Sequence, residues 1–485
     1  MKLNKYAWML GLAGMMSLGA CEKLEDFGDT NVNPAATTTP ILGALLTNVE
    51  AGLGGYAAMT RGAFYAQQLS ETQYTDASLY SLPQLEFSGE YAGALYDLQN
   101  IINLNQSNNM TQVARILKSY IFWTITDRWG DVPYTEALKG NPTPKYDPQE
   151  TIYKGCIAEL ASAVGSFDGT SVITGDIING GNVAKWKKVA NSIRMLMALR
   201  LSKRFPGAGE YAATEFKAAL NDANGHISTN ADNWIIVYPG GAAFRNPWYN
   251  TYDGRKDVAE SKTMTDLLAS LGDGRAQVFG GATEDQNKSN SMWDDPSTIG
   301  FPYGVKRATA EAFSSANPTW ARVLRGDLRE QTDQLVLIGA AELLLARAEA
   351  ADRGWTTENA TTLYQNGITA SFQQWGLAAP AATYFTQAGV AFGAPTGTGA
   401  NLNRIAVQRW IAIYPNGLQA WSEWRRTGFP VLTPAIDAVN SSKQIPRRYT
   451  YGTGEYGTNP DNVKTAAGGI QGGDVQDGRV WWDKP

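Results

Sequence analysis

Residues 408–430, QRWIAIYPNGLQAWSEWRRTGFP, constrain this chain more than any other stretch. The spacing predicts a helix, a turn at Pro415, Asn416 and Gly417, and a second helix. Trp410 and Tyr414 are four apart and share one face of the first helix. Pro415 cannot continue that helix, and Asn416 with Gly417 carries turn chemistry. In the second helix Trp421 and Trp424 lie three apart, with Arg425 four beyond Trp421. Gly428 stands where a capping glycine belongs, and Pro430 follows as a stop. Helices joined this tightly must be antiparallel neighbours, and their rings read as core before they read as a ligand platform.

The 485 residues suffice for one large domain or two to three ordinary ones. A hydrophobic content of 43% with 18% charged residues is that of a globular chain. The net charge of -5, or -7 once Lys2 and Lys5 leave with a leader, offers no footprint for nucleic acid. The one histidine, His226, sits in an Asn-Gly-His segment and reads as a solvated loop residue, which argues against a Ser-His-Asp triad or a zinc site. Cys156, in the helical pattern IYKGCIAEL, reads as a buried and inert thiol. Without a phosphate loop, metal-ligand spacing or nucleophile motif, no cofactor is expected. The unusual feature is the aromatic content of 15 Trp, 22 Tyr and 15 Phe, which leaves rings for an exposed platform beside those needed in a core.

Residues 1–20 read as a signal peptide, with Lys2 and Lys5 ahead of an apolar run of twelve, too short to span a bilayer comfortably. The sequence Leu18-Gly19-Ala20-Cys21 looks like a bacterial lipobox, in which cleavage precedes an acylated Cys21 that anchors the chain to a membrane. Residues 21–38, acidic at 22–26, then form a lipidated tether, and residues 39–485 a single domain. Helical patterns cover 40–105 with a loop break at 75–83, then 110–126 closed by Gly130, 148–164, 183–204, 331–353, 358–375 and 401–414. In 183–204, Trp186, Ala190, Ile193 and Met197 must face the core, leaving Arg194, Arg200 and Lys203 to point outward or pair locally. Small residues in 331–353 allow close helix approach, and Glu349 can pair with Arg353. A short strand is expected at 234–238, and loop after Pro430.

Residues 205–330 are rich in Gly, Pro, Asn and Asp, with aromatics in no helical period, and read as a loop-rich ligand region. Flat rings can bury the apolar face of a sugar while amide, carboxyl and guanidinium groups bond its hydroxyl rim. Ring type and loop position single out Trp248, Tyr252, Trp293, Tyr303 and Trp320 as contacts, with Tyr74 and Tyr80 of the 69–83 loop in reserve.

Several segments resemble the SusD/RagB family, and most closely its SusD-like branch. They are the 408–430 stretch, DFGDTNVNP at 26–34, DRWGDVPY at 127–134, the Trp186-x-x-x-Ala190-Asn191-Ser192 phrase, IPRRYTY at 445–451 and VWWD at 480–483. Gln419 stands where a Glu usually precedes the Ala-Trp pair, and Gly452 where a proline often follows the tyrosine. The resemblance runs from the lipobox to the last residues and is weak between 205 and 330. It implies a mainly α, SusD-like fold, with tetratricopeptide-like helix pairs as scaffold and a loop-rich, aromatic-rich insertion. It implies non-catalytic capture of oligo- or polysaccharide at the cell surface, and delivery to a SusC-like TonB-dependent outer-membrane transporter. The protein would be held in the outer membrane by lipid on Cys21. Three other readings stay open. The same lid mechanism could take up a peptide or another nutrient. A helical glycoside hydrolase needs only two carboxylates, such as Asp294 and Asp295, but 46 acidic residues always supply a pair. A surface scaffold would have no polysaccharide affinity.

Overall fold

The 183–204 pattern forms the helix Val183–Arg200, prolonged by the tighter turn Leu201–Lys203. Asn182 starts it by accepting the N–H of Lys185 at 3.1 Å, one of the donors a helix start leaves open. Trp186, Ala190, Ile193 and Met197 are fully buried, as their spacing predicts. Arg194 pairs with Glu215 of the helix Tyr211–Leu220, with Nε 2.9 Å from the carboxylate. Arg200 corrects the sequence reading, because it does not point outward. It is fully buried, donates to Gln419 Oε1 at 2.7 Å, and lies 3.2 Å from the Glu423 carboxylate. A charge tolerates such burial only where a partner compensates it.

In this computed structural model the described residues are 40–287, 292–393 and 401–485. The leader, the 21–38 tether and Cys21 lie outside them. Residues Gly43–Pro485 form one compact unit. Its scaffold is a succession of packed helices: Asn108–Trp129 on Gln149–Ser166, that helix on Val183–Arg200, and Val183–Arg200 in turn on Ala340–Asp352. Ala340–Asp352 also packs on Ala360–Gln374 and Leu402–Ala412. The crossing of Ala340–Asp352 with Ala360–Gln374 turns on a glycine of the second helix, outside the small residues of 331–353. A β-carbon on Gly367 would lie 2.7 Å from Leu345 Cγ, so that crossing needs a hydrogen there. Strand is confined, among the described residues, to two-stranded pairs.

The 408–430 stretch folds as expected into Leu402–Ala412, a turn, and Gly417–Thr427. Asn416 caps the second helix by accepting the N–H of Gln419 at 3.3 Å, and Gly428 closes it at φ +79°. Trp410, Tyr414 and Trp421 are buried in the core. Trp421 stacks on Tyr449 at 5.3 Å and donates its indole N–H to Pro446 O at 2.8 Å. Gly417 does more than turn the chain. A β-carbon there would lie 2.2 Å from that of Ala63, and one on Gly62 would lie 2.9 Å from Leu418 Cα. The helix Thr60–Tyr65 therefore meets the start of Gly417–Thr427 backbone to backbone.

A buried charge network fills the space between these helices. Glu423 accepts from Arg409 at 2.9 Å and Arg426 at 2.7 Å, besides facing Arg200. Arg426 also bonds Glu349 through two nitrogens, at 2.5 and 2.6 Å, and Glu349 pairs with Arg353 at 2.8 Å as the i, i+4 spacing predicted. Burial pushes the Glu423 carboxyl up, but the surrounding guanidinium groups outweigh it and hold it at about 2.

Other readings need correction. Residues 331–353 are not one helix: Leu335–Ile338 is a strand, antiparallel to Trp234–Ile236, and the helix begins at Ala340. The run LVLI is apolar with two β-branched residues, Val336 and Ile338, and the partner strand satisfies its backbone. The chain after Pro430 is not all loop, since Thr450–Tyr451 pairs with Gln84–Leu85 and the helices Thr453–Thr458 and Pro460–Gly469 follow. The 205–330 region carries helices of its own, among them Lys262–Ser270 and Arg307–Ala316.

His226 is half-buried rather than solvated, 3.3 Å from Arg347 Nη1. Burial and that guanidinium lower its pKa to about 4. The folded chain therefore takes up its proton later than the unfolded chain, which does so near 6.5. Stability from the neutral ring is full above pH 6.5 and is lost as pH falls toward 4. With one histidine in the chain, an NMR titration should show a single imidazole with its midpoint near 4, and His226→Gln should remove the matching drop in urea midpoint. A midpoint near 6.5 would contradict the burial.

Cys156 is fully buried in Gln149–Ser166, and burial pushes its thiol up to about 12. The chain from residue 22 onward should stay unmodified by iodoacetamide at pH 8 until denatured, as read by mass spectrometry.

Candidate functional site

The strand Leu69–Glu71 pairs antiparallel with Val258–Glu260 and carries the loop that follows it out to the surface. Thr72 fixes the loop's first turn, its N–H bonding Asp257 O at 3.0 Å and its hydroxyl bonding Lys256 O at 2.5 Å. The Gln73 amide bonds the Asp257 carboxylate. Tyr74 then stands 51% exposed. The guanidinium carbons of Arg307 and Arg255 lie 5.4 and 5.9 Å from its ring centroid. Each arginine is held at Nε by a carboxylate, Arg255 by Asp257 at 2.6 Å and Arg307 by Glu311 at 2.7 Å. The site thus has one open ring flanked by donors and acceptors on three segments of chain.

The far end of the loop is tied down by Tyr80, which adopts φ +65° and is buried. Its hydroxyl oxygen accepts the N–H of Ala435 at 3.0 Å and the O–H of Tyr303 at 3.3 Å. Leu79 O accepts the N–H of Val439 at 2.9 Å, and Gly304 O that of Asp437 at 3.1 Å. Gly304, at φ +63°, packs so closely that a β-carbon would lie 2.3 Å from Ala435 Cβ. These bonds join the 72–83, 302–306 and 433–439 segments into one face. Aliphatic side chains of these segments are exposed, Leu82 and Val439 along with Ile436 at 82%, and Val431, two residues before the last segment, is 82% exposed as well. Two open hollows adjoin the face, about 500 Å³ between Lys306 and Lys443 and about 440 Å³ between Arg255 and Glu284.

Of the seven rings singled out by sequence, Tyr74 alone is exposed; the others serve as packing or ties. Trp248 is buried at the start of Pro247–Thr251, beside a small cavity of about 30 Å³ shared with Trp375 and Tyr414. Tyr252 is buried, donating to Val258 O at 2.8 Å and accepting the N–H of Val323 at 2.7 Å. Trp293 is buried against Gly326, and the Arg329 guanidinium lies 4.8 Å from its ring and 4.4 Å from that of Tyr252. Trp320 is buried under Arg322 at 3.7 Å and against Phe301 at 5.5 Å. Tyr303 is half-buried and spends its hydroxyl on Tyr80. The physical reason is common to them all. A segment with few long helices has few aliphatic residues to bury, so its own large rings become its core. Trp129, in the DRWGDVPY segment, is buried beside Phe87 and Tyr449.

Sequence reasoning missed Arg255, Arg307, Val431 and Ile436. For the two aliphatics a signal existed, since they lie in a stretch after Pro430 with no period to bury them. Among the described residues no three His, Cys, Asp or Glu side chains gather to hold a metal, and no helix is long and apolar enough to cross a membrane.

Residues 31–452 match the SusD-like family described as "Starch-binding associating with outer membrane". The chain belongs to this family. Solved structures agree with that assignment. A chitin-binding protein is 26% identical over 92% of this chain and 100% of its own, with a TM-score of 0.75. A SusD homologue from Bacteroides fragilis NCTC 9343 is 26% identical, with the same coverages and a TM-score of 0.74. A chitin-binding SusD homologue from Flavobacterium johnsoniae shares the fold at 23% identity, covering 91% and 97% with a TM-score of 0.75. No curated protein sequence matches. The mainly α, SusD-like fold read from the sequence is therefore the fold of this protein, and two of these three structures are of chitin-binding proteins.

Proposed function

We propose that this SusD-like protein captures an oligo- or polysaccharide at the Tyr74 face, without cleaving it, and passes it to a SusC-like TonB-dependent transporter in the outer membrane. The observation that carries the reading is Tyr74 itself, an exposed ring flanked by Arg255 and Arg307, in a family described as starch-binding. A sugar ring lays its C–H face on an aromatic plane and offers hydroxyls to the groups around it. The arginines would fit that rim, because contacts of an exposed cation with a ring are worth only about 0.5–1 kcal/mol and yield readily to a ligand. Lipid on Cys21 would hold the protein at the cell surface beside its transporter.

The test is native affinity electrophoresis of the chain lacking residues 1–21, through gels containing starch, glycol chitin and a panel of other polysaccharides. Retardation by one glycan with no release of reducing ends is the expected result. Retardation by none would overturn glycan capture in favour of another nutrient, and release of reducing ends would overturn the non-catalytic part.

A further inference from the structure

Glu71 is the last residue of the strand Leu69–Glu71, directly before the loop that carries Tyr74. Its carboxylate does not face solvent as an ordinary strand-end glutamate would. It folds back under the loop, where Oε2 accepts both the N–H and the O–H of Ser78, each at 2.7 Å. Ser78 lies seven residues along the chain and is itself buried. The two bonds therefore close the segment 71–78 into a ring with Tyr74 near its outer midpoint. Tyr74's neighbours are also tied, Thr72 and Gln73 to 256–257, and Thr75 through its carbonyl to Leu79 N–H at 3.0 Å and within 3.2 Å of the Ser78 hydroxyl. Beyond Ser78, Tyr80 fastens the loop's other end to Ala435 and Tyr303.

We propose that Glu71 is the positioning residue of the Tyr74 face: by accepting both donors of Ser78 it sets where the tyrosine ring stands, and hence how tightly the face holds a glycan. This inference rests on the glycan-capture reading of that face.

The groups facing Glu71 are Arg61 from the helix Thr60–Tyr65, Asp76 and Ser78 from the loop, and the hydroxyls of Tyr65 and Tyr303. Burial raises the carboxyl to about 7, against the bonds from Ser78 and the charge of Arg61, which lower it. When the loop lifts, Glu71 is solvated and returns toward 4.5. The closed loop thus binds the proton more tightly than the open one, so by linkage closure is favoured at low pH and weakened as pH rises from 4.5 toward 7. A neutral glutamine should keep both acceptor bonds through its amide oxygen and remove this dependence. An alanine should leave the N–H of Ser78 without its acceptor at every pH, its hydroxyl keeping only the Thr75 carbonyl at 3.2 Å.

Two readouts decide the matter. The first needs no ligand: amide exchange of Ser78, corrected for its intrinsic rate. In the wild type, protection should fall by up to roughly tenfold per pH unit between 4.5 and 7. Glu71→Gln should show a flat profile at the wild-type low-pH level, and Glu71→Ala low protection throughout. The second is affinity for chitohexaose and maltoheptaose at pH 5 and pH 8. Glu71→Ala should bind roughly tenfold more weakly than wild type at pH 5, with Glu71→Gln restoring binding at both. Equal exchange profiles and equal affinities in all three proteins, with Tyr74→Ala defective, would overturn the role of Glu71 and leave the capture site standing. Unchanged affinity in Tyr74→Ala would overturn the capture site itself, and with it this proposal.

Discussion

Replacing Glu423 by Ala is expected to lower the free energy of unfolding by about 3–5 kcal/mol, the cost of stranding buried charge. Three arginines converge on this carboxylate, Arg409 at 2.9 Å, Arg426 at 2.7 Å and Arg200 at 3.2 Å, and all are buried. Glu349 remains for Arg426 and Glu342 for Arg409, but Arg200 is left with Gln419 and an Asp127 carboxylate 3.8 Å away. The neutral Gln419 sharpens the effect, since an acid there would share the load. Urea denaturation followed by circular dichroism measures it. Glu150→Ala, which removes an exposed helix pair with Lys154, is the control and should not move the midpoint. A loss no larger than the control's would mean that the network does not bear on stability. Acid should act in the same direction. Glu423 has its folded pKa held below the ordinary carboxylate value, so its contribution is present above the unfolded value near 4.5 and is lost as pH falls through about 2.

The second large effect separates the exposed ring from the buried ones. Tyr74→Ala should reduce glycan affinity by roughly tenfold or more, as loss of a central aromatic contact does, and leave the melting temperature unchanged. Trp320→Ala should do the reverse. Its ring is enclosed by Arg322 and Phe301, with its N–H on Ser314 Oγ at 3.1 Å, so truncation opens a cavity costing about 3–5 kcal/mol. At temperatures where Trp320→Ala is still folded, its affinity should match the wild type. A stable Trp320→Ala protein that fails to bind, beside a Tyr74→Ala protein that binds normally, would reinstate the buried rings as contacts.

The contrast between Tyr74 and Tyr80 shows what the sequence could and could not convey. Both stand in one loop, six residues apart, each followed by a small hydroxyl residue, Thr75 or Ser81. One is open and the other sealed because of Tyr303 and Ala435, which lie 223 and 355 residues further along the chain. No local pattern contains that information. Helices were legible for the opposite reason. Trp186, Ala190, Ile193 and Met197 repeat the same burial at the three- and four-residue spacing of a helix face, so each residue confirms the last. Arg200 lies on such a helix and still misled, because its charge argues for solvent unless Glu423 is known to face it. The strand Leu335–Ile338 was hidden by its company: four apolar residues before a long helix read as its first turn until Trp234–Ile236 is seen beside them.

The backbone contact between Gly62 and Gly417 has a mechanical side. A polymer held at Tyr74 and drawn by fluid flow, or by whatever receives it, would pull on the strand Leu69–Glu71, and through it on the helix Thr60–Tyr65 only four residues earlier. At Gly62 and Gly417 that helix rests on Gly417–Thr427 with little more than the Ala63 β-carbon between the backbones, and further along it the Tyr65 ring packs edge-on to Trp421 at 5.4 Å. Tension at the surface would therefore be handed through this close contact to the buried helix Gly417–Thr427 rather than stay in the loop that carries the ring.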